Sequence, residues 1–171
     1  MVGKVEVTVI DCLQETYRKL NEVGLLLTSA GRDGRLNIMS IRWGFVGKMF
    51  GKPVFEVAVR PSRHTHMLIE DTGEFTVNVP NGGMADIVKY CGSVSGRDYD
   101  KFKEKKLTPL KGRRIQVPII SECSVHYECK VIYKTRIDPN GLPSEILSNQ
   151  YHSGDYHTVF SGEILTVLAD K

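Results

Sequence analysis

Arg60, Ser62, Arg63 and Thr65 place two guanidinium cations and two hydroxyls at one point of the chain. Val59 closes a β pattern there, Pro61 stops it, and Ser62 stands where an N-cap would stand before a helix running from about Ser62 to Asp71. The first amides of a helix lack partners inside it, and its aligned peptide dipoles favour an anion at that end. Cations and hydroxyls added to those amides make a receptor for a phosphate monoester. The same residues also suit an ordinary capped helix with a solvated basic rim, and local chemistry alone favours that plainer reading.

Three other segments carry residues with chemical use. In Leu36–Phe45, read as one strand, Asn37, Met39, Ile41 and Trp43 alternate with Leu36, Ile38, Ser40 and Arg42. This is a core strand with a polar intruder, or one wall of a site whose amide and hydroxyl partners are Asn37 and Ser40. In SGRDYDKF, Asp98 and Lys101 are three apart, as are Arg97 and Asp100, a spacing for helix-surface ion pairs. In the last strand Phe160 shares a face with Tyr156, Ile164 and Leu168, while His157 faces the other way.

The remaining candidates read as structural. His64 and His66 read as surface residues. His126 alternates with Tyr127, so it points away from the core, to solvent, a cleft or a subunit contact. The four cysteines show no zinc-ligand spacing, and Cys123 and Cys129 are expected to pack on one core face with Val125, Tyr127 and Val131. No HExxH and no motif context for a Ser-His-Asp or Cys-His arrangement appear, so neither a metal nor a catalytic side chain is expected.

The elements that must position these residues are mostly strands. Val5–Val9 alternates, Cys12–Glu22 reads as a short helix capped by Asp11, and Leu25–Ala30 reads as a buried strand ending in the hairpin turn GRDGR. Strands at Val54–Val59 and Phe75–Val79 flank the helix after Ser62. Two short helices follow, around Met84–Cys91 and Asp98–Lys105, then a long β pattern, Ile119–Arg136, and a last strand, Tyr156–Leu168. Seven or so strands with short helices between them point to a mainly β fold, a barrel with helical insertions, in one domain spanning residues 1–171. No GxGxxG follows a strand and no P-loop is present.

Composition narrows the class. The 171 residues are 41% hydrophobic and 25% charged, as in a globular protein. A net charge of +3 is too small to argue for nucleic acid. No signal-like segment and no apolar run of ~18 residues appears, so no membrane role is expected, and the cytoplasm is the expected compartment.

Four segments, GRDGRLNIMSIRW (31–43), VRPSRHTHMLIEDTGEFTVNVP (59–80), CGSVSGRDYDKF (91–102) and HTVFSGEI (157–164), occur in this order. Together they resemble the flavin reductase-like, FMN-binding split-barrel proteins, and among them the flavoredoxin-type branch, from about Leu25 to the C-terminus. The resemblance implies a split β-barrel with short helical insertions that binds FMN non-covalently. It places Asn37, Met39, Ser40 and Trp43 along the flavin, gives the phosphate to Ser62 and Thr65, and has Arg60 or Arg63 neutralise it. Lys101 would contact the phosphate or the ring near N1, His126 the flavin, and Phe160 would cover it. It also implies a homodimer with the flavin near the subunit contact. The activity implied is an NADH- or NADPH-dependent flavin reductase, or else an electron carrier reduced by a redox partner protein. A non-redox barrel that holds a phosphorylated ligand in its basic loops is the reading from another class.

Overall fold

The computed structural model describes residues 3–171. In chain order the elements are β1 (Lys4–Val7), α1 (Val9–Glu22), β2 (Leu25–Ala30), β3 (Leu36–Ile41), β4 (Gly44–Met49), β5 (Lys52–Val59), α2 (His64–Thr72) and β6 (Glu74–Pro80). Then come α3 (Ala85–Ser93), α4 (Lys101–Glu104), β7 (Pro109–Leu110), β8 (Ile119–Ile120), β9 (Cys123–Arg136), α5 (Ser144–Gln150) and β10 (Thr158–Asp170). Eight strands form one antiparallel sheet in the order β3-β2-β6-β9-β10-β5-β4, with β1 also on β10; β7 and β8 form a separate ribbon.

The two long strands let this sheet curl. β10 pairs with β5 through its first half and with β1 through its last residues, while β9 runs along its other edge. Register shifts at Ser161/Gly162 and Ile164/Thr166 bend it, as bulges do. At Gly162 a Cβ would lie 2.5 Å from the Phe75 ring and 2.8 Å from Cys129 Cβ, so the absent side chain lets strands close on one another. Inside the curl, Leu25, Leu27, Phe55, Phe75, Val77, Tyr127 and Phe160 form the main core. Leu26 and Ile38, on the opposite faces of β2 and β3, pack with Val88, Cys91 and Phe102 from the α3–α4 side. β2 is therefore covered on both faces, which accounts for the burial of every one of its residues.

Several boundaries differ from the sequence reading. The expected strand 36–45 breaks at Arg42–Trp43, because the chain leaves one end of the sheet at β3 and re-enters at the other as β4. β4 turns into β5 through Phe50 and Gly51, both at positive φ (53° and 75°), a two-residue hairpin loop. α1 starts earlier than expected: Thr8 caps it and Asp11 returns the bond in a capping box. Cys123 does not share the Cys129 face, because the register shifts between Val79 and Pro80 and turns it into the second cluster. No described helix is long and apolar enough to cross a membrane.

The β7–β8 ribbon decides the fate of His126. Alternation does point this side chain away from the main core, but β8 packs there against β6 and β9. His126 is fully buried, and its Nδ1 lies 2.8 Å from Asn78 Oδ1, which also accepts the Ile120 amide at 3.0 Å. Since the amide oxygen only accepts, Nδ1 carries the proton, and Nε2 is left buried without a partner. Burial pushes its pKa down to about 3, helped by the charge of Lys4.

Candidate functional site

A cavity of about 450 Å³ opens where β3, the β5–α2 junction, the α3–α4 segment and the chain entering β10 meet. Its volume lies in the range of small-molecule and cofactor sites. Asn37, Met39, Ser40, Trp43, Arg60, Ser62, Arg63, Thr65 and Lys101 all line it, so segments far apart in sequence converge as expected.

The β3 wall is held from behind. Asn37 Nδ2 donates to Thr65 Oγ1 at 2.7 Å, tying β3 to the first turn of α2. Two glycines let the segment after α3 lie close against this strand. A Cβ on Gly96 would sit 1.9 Å from Asn37 Oδ1, and one on Gly92 would sit 2.2 Å from Ser40 Oγ. Both polar side chains are thereby locked by packing.

At the N-terminus of α2 the cap is Arg63, not Ser62, and no side chain caps the helix. The Ser62 hydroxyl and amide donate instead to Asp155, at 2.6 and 3.3 Å. Arg60 is also committed: it donates to the carbonyls of Gln150, Gly154 and Asp155 and lies over the Tyr151 ring. Both residues hold the segment before β10 in place. The amides of His64 and Thr65 and the guanidinium of Arg63 have no hydrogen-bond acceptor among the described residues.

Lys101 does not form the expected surface ion pair with Asp98. It is 4% exposed, and its ammonium donates to the carbonyls of Ile38 and Cys91 at 2.7 and 2.8 Å. One of its three N–H donors is left over, and burial lowers its pKa to about 8. Cys91, whose thiol burial pushes up to about 11, is inert beside it.

Other residues of the site escape the sequence reading. Arg97 lines the cavity and donates to Ser62 O at 3.0 Å, so it belongs to the α2 terminus instead of pairing with Asp100. His64 is not a surface residue: it is 7% exposed, and its Nδ1 is buried without a partner. Burial, then the charges of Arg97 and Arg35, lower its pKa, which keeps it neutral near pH 7. His157 stacks on Trp43 with ring centroids 4.5 Å apart, and its Nδ1 lies 2.7 Å from the Tyr151 hydroxyl. Burial and Arg60 lower its pKa to about 4. The clue to Arg97 was the segment GSVSGR, whose glycines imply close packing; nothing local marks His64 or His157.

Two expected residues lie elsewhere. His126 is sealed under the β7–β8 ribbon, and Phe160 is buried in the main core with its ring 5.3 Å from that of His66. Neither lines the cavity. Among the described residues no group of His, Cys, Asp and Glu has the arrangement of a metal site.

The family model described as flavin reductase like domain matches residues 18–171. The chain belongs to this family. An uncharacterized protein of Archaeoglobus fulgidus is 34% identical over 131 residues, which are 77% of this chain and 64% of that protein. The chain thus spans just under two thirds of that relative. Among solved structures, the flavoredoxin of Desulfovibrio vulgaris (Miyazaki F) is 28% identical with a TM-score of 0.70, over 86% of this chain and 69% of that one. An FMN-binding protein from Thermus thermophilus, solved with bound 1-cyclohex-2-enone, is 25% identical with a TM-score of 0.66 over 85% and 68%. A split-barrel protein of Shewanella frigidimarina, 20% identical with a TM-score of 0.71 over 93% and 74%, shows the fold alone. The curled sheet is therefore a split barrel, mainly β with short helices.

Proposed function

We propose that the protein binds FMN and works as a redox flavoprotein, a flavin reductase that takes reducing equivalents from NADH or NADPH. The observation that carries this reading is the cluster at the α2 terminus. Two unpaired amides, the Arg63 and Arg97 guanidiniums and the spare donor of Lys101 all belong to residues that line one cavity. A phosphate monoester carries nearly two negative charges and accepts many hydrogen bonds, so it suits a helix terminus whose amides and Arg63 guanidinium have no acceptor among the described residues. The β3 wall, with Asn37 and Ser40 locked by packing and Trp43 backed by His157, suits a planar ring with polar edges.

When bound, FMN supplies the hydride and electron chemistry itself. The chain's part is to hold the phosphate, to keep the ring against β3, and to limit water through the Trp43–His157–Tyr151 wall. Arg60, Ser62 and Asp155 keep that wall in place.

A second reading, an electron carrier reduced by a partner protein, is favoured by the exposed cations Arg42, Arg63 and Arg97 at the cavity. Such a rim steers an acidic protein surface as readily as a dinucleotide. The protein is further proposed to act as a homodimer. Its support is an apolar groove between α1 and β4, flanked by Ile10 (82% exposed), Leu13, Tyr17 and Phe45 (72% exposed). β4 begins one residue after Trp43, so a second copy seated there would lie beside the cavity. Four free, buried cysteines suit the reducing cytoplasm.

The decisive test is optical. Protein soaked with FMN and desalted should be yellow, and anaerobic NADH or NADPH should bleach it, with oxygen restoring the colour. Bleaching by dithionite but by neither nicotinamide leaves the carrier; a colourless protein leaves the phosphorylated-ligand module. Phe45→Asp should turn a dimer in light scattering into a monomer.

A further inference from the structure

Between β9 and β10 the chain makes an excursion, residues 137–157, that contains α5 and a single buried residue, Tyr151. Its neck is closed by the Ile137 amide, which donates to the His157 carbonyl at 2.9 Å. Among the described residues, every hydrogen bond that reaches 138–156 from the rest of the chain comes from Arg60 or Ser62. Arg60 holds the carbonyls of Gln150, Gly154 and Asp155 and lies 5.1 Å from the centre of the Tyr151 ring. Ser62 gives both its hydroxyl and its amide to the Asp155 carboxylate. A segment tied to a fold by two residues and one buried ring is a unit of low local stability. α5, seven residues long with none buried, does not hold as a helix once detached. Gly154 and Asp155 turn the chain towards the cavity with φ of 73° and 57°, a left-handed backbone that costs glycine little and aspartate more.

Ser62 lines the cavity where the chain enters α2, so the Asp155 carboxylate sits on a donor of the phosphate-type site. A phosphate at that terminus and this carboxylate are like charges that compete for one set of donors. We propose that residues 137–157 form a latched strap and that Asp155 is an internal competitor for the anion. A ligand phosphate arriving at the α2 terminus takes Ser62 from Asp155 and loosens the strap. The identity of the ligand rests on the function proposed above; the latch does not. Coupling of this kind is reciprocal, so a change that removes the competitor tightens anion binding. His157, at the end of the strap, stacks on Trp43, so release also frees that wall of the cavity. A second cavity of about 750 Å³ adjoins the first at His64 and Arg97, but no strap residue lines it, and the coupling concerns the first alone.

Hydrogen exchange on the full chain tests this. It is read at the Tyr151 and Gly154 amides, which are bonded only within the strap, with the paired amides of β6 and β9 as the control for the fold. Saturating FMN should speed strap exchange about tenfold and leave the control amides unchanged. Asp155→Asn removes the charge and suits the left-handed backbone, and Asp155→Gly removes the acceptor as well. Both should speed strap exchange without ligand and bind FMN about fivefold more tightly in a fluorescence titration. FMN that slows strap exchange or leaves it unchanged, or variants that bind FMN no more tightly than the wild type, would overturn the proposal. Should the wild type bind no flavin, inorganic phosphate takes its place as the probe. Phosphate that speeds strap exchange in the wild type but not in Asp155→Gly upholds the latch while the flavin reading falls, and phosphate without effect overturns the latch too.

Discussion

His64 and His126 are both buried, both neutral near pH 7, and both keep one ring nitrogen without a partner. Their surroundings differ. His126 donates to an amide oxygen inside a network of Asn78, Thr28 and Thr76, roofed by the β7–β8 ribbon. His64 stands at the meeting of two cavities with Arg63, Arg97 and Lys101 nearby. An orphan nitrogen facing only packed protein is a fixed cost in stability. His64 carries a similar cost, but its residue borders two cavities and several cations, so a change there reaches the site. Burial of a polar group therefore says little about function until its neighbourhood is known.

Four experiments test that contrast. The largest effect should come from Asn78→Ala. Asn78 accepts from His126 and the Ile120 amide, and its two N–H groups are shared among Leu26 O and two threonine hydroxyls, so its loss strands several buried groups. Urea unfolding should show a loss of about 4 kcal/mol, with FMN affinity of the folded fraction unchanged. A large change in affinity would place the His126 network in the site after all.

Acid should act through the same network. The pKa of His126 is depressed in the fold, so the unfolded chain binds the extra proton first. Stability is then full above pH ~6.5 and falls as pH drops towards about 3, by roughly 3 kcal/mol at pH 4. His126→Gln should flatten this limb of the stability curve. His157, lowered to about 4, adds a smaller term of the same sign.

On the site side, Lys101→Met should weaken FMN binding by about 2 kcal/mol, because a buried cation with a spare donor is removed. Unchanged affinity in a fluorescence titration would mean that the ammonium serves only the Ile38 and Cys91 carbonyls. Thr65→Ala should cost less, about 1 kcal/mol, since Thr65 contributes one hydroxyl already shared with Asn37. A parallel drop in urea midpoint large enough to explain the loss would reduce Thr65 to a packing role.

Much of the framework was legible from local rules. Alternation marked β6, the apolar run Leu25–Leu27 marked β2 as a buried strand, the GRDGR turn marked a hairpin, and Gly73 stops α2 in the left-handed conformation. The convergence of Asn37, Thr65 and Lys101 was legible only through the resemblance, since no periodicity relates residues so far apart. Less visible were the break after Ile41, where tertiary placement overrides a continuous apolar pattern, and α5, where the pattern is weak.

The sequence by itself determined which groups are available: a β-rich chain with cations and hydroxyls at the start of α2, glycines at 92 and 96, and a lysine at 101. Those follow from side-chain type, alternation and turn chemistry, all of which act over a few residues. Only the tertiary structure decided which groups are free to act. Arg60 and Ser62 are taken up by the segment before β10, while Arg63 and Arg97 remain at the cavity. Lys101 is buried, not salt-bridged, and a two-stranded ribbon covers His126. The physical reason is that a donor's first acceptor is set by whatever backbone the fold brings within about 3 Å of it, and that partner can lie ninety residues away.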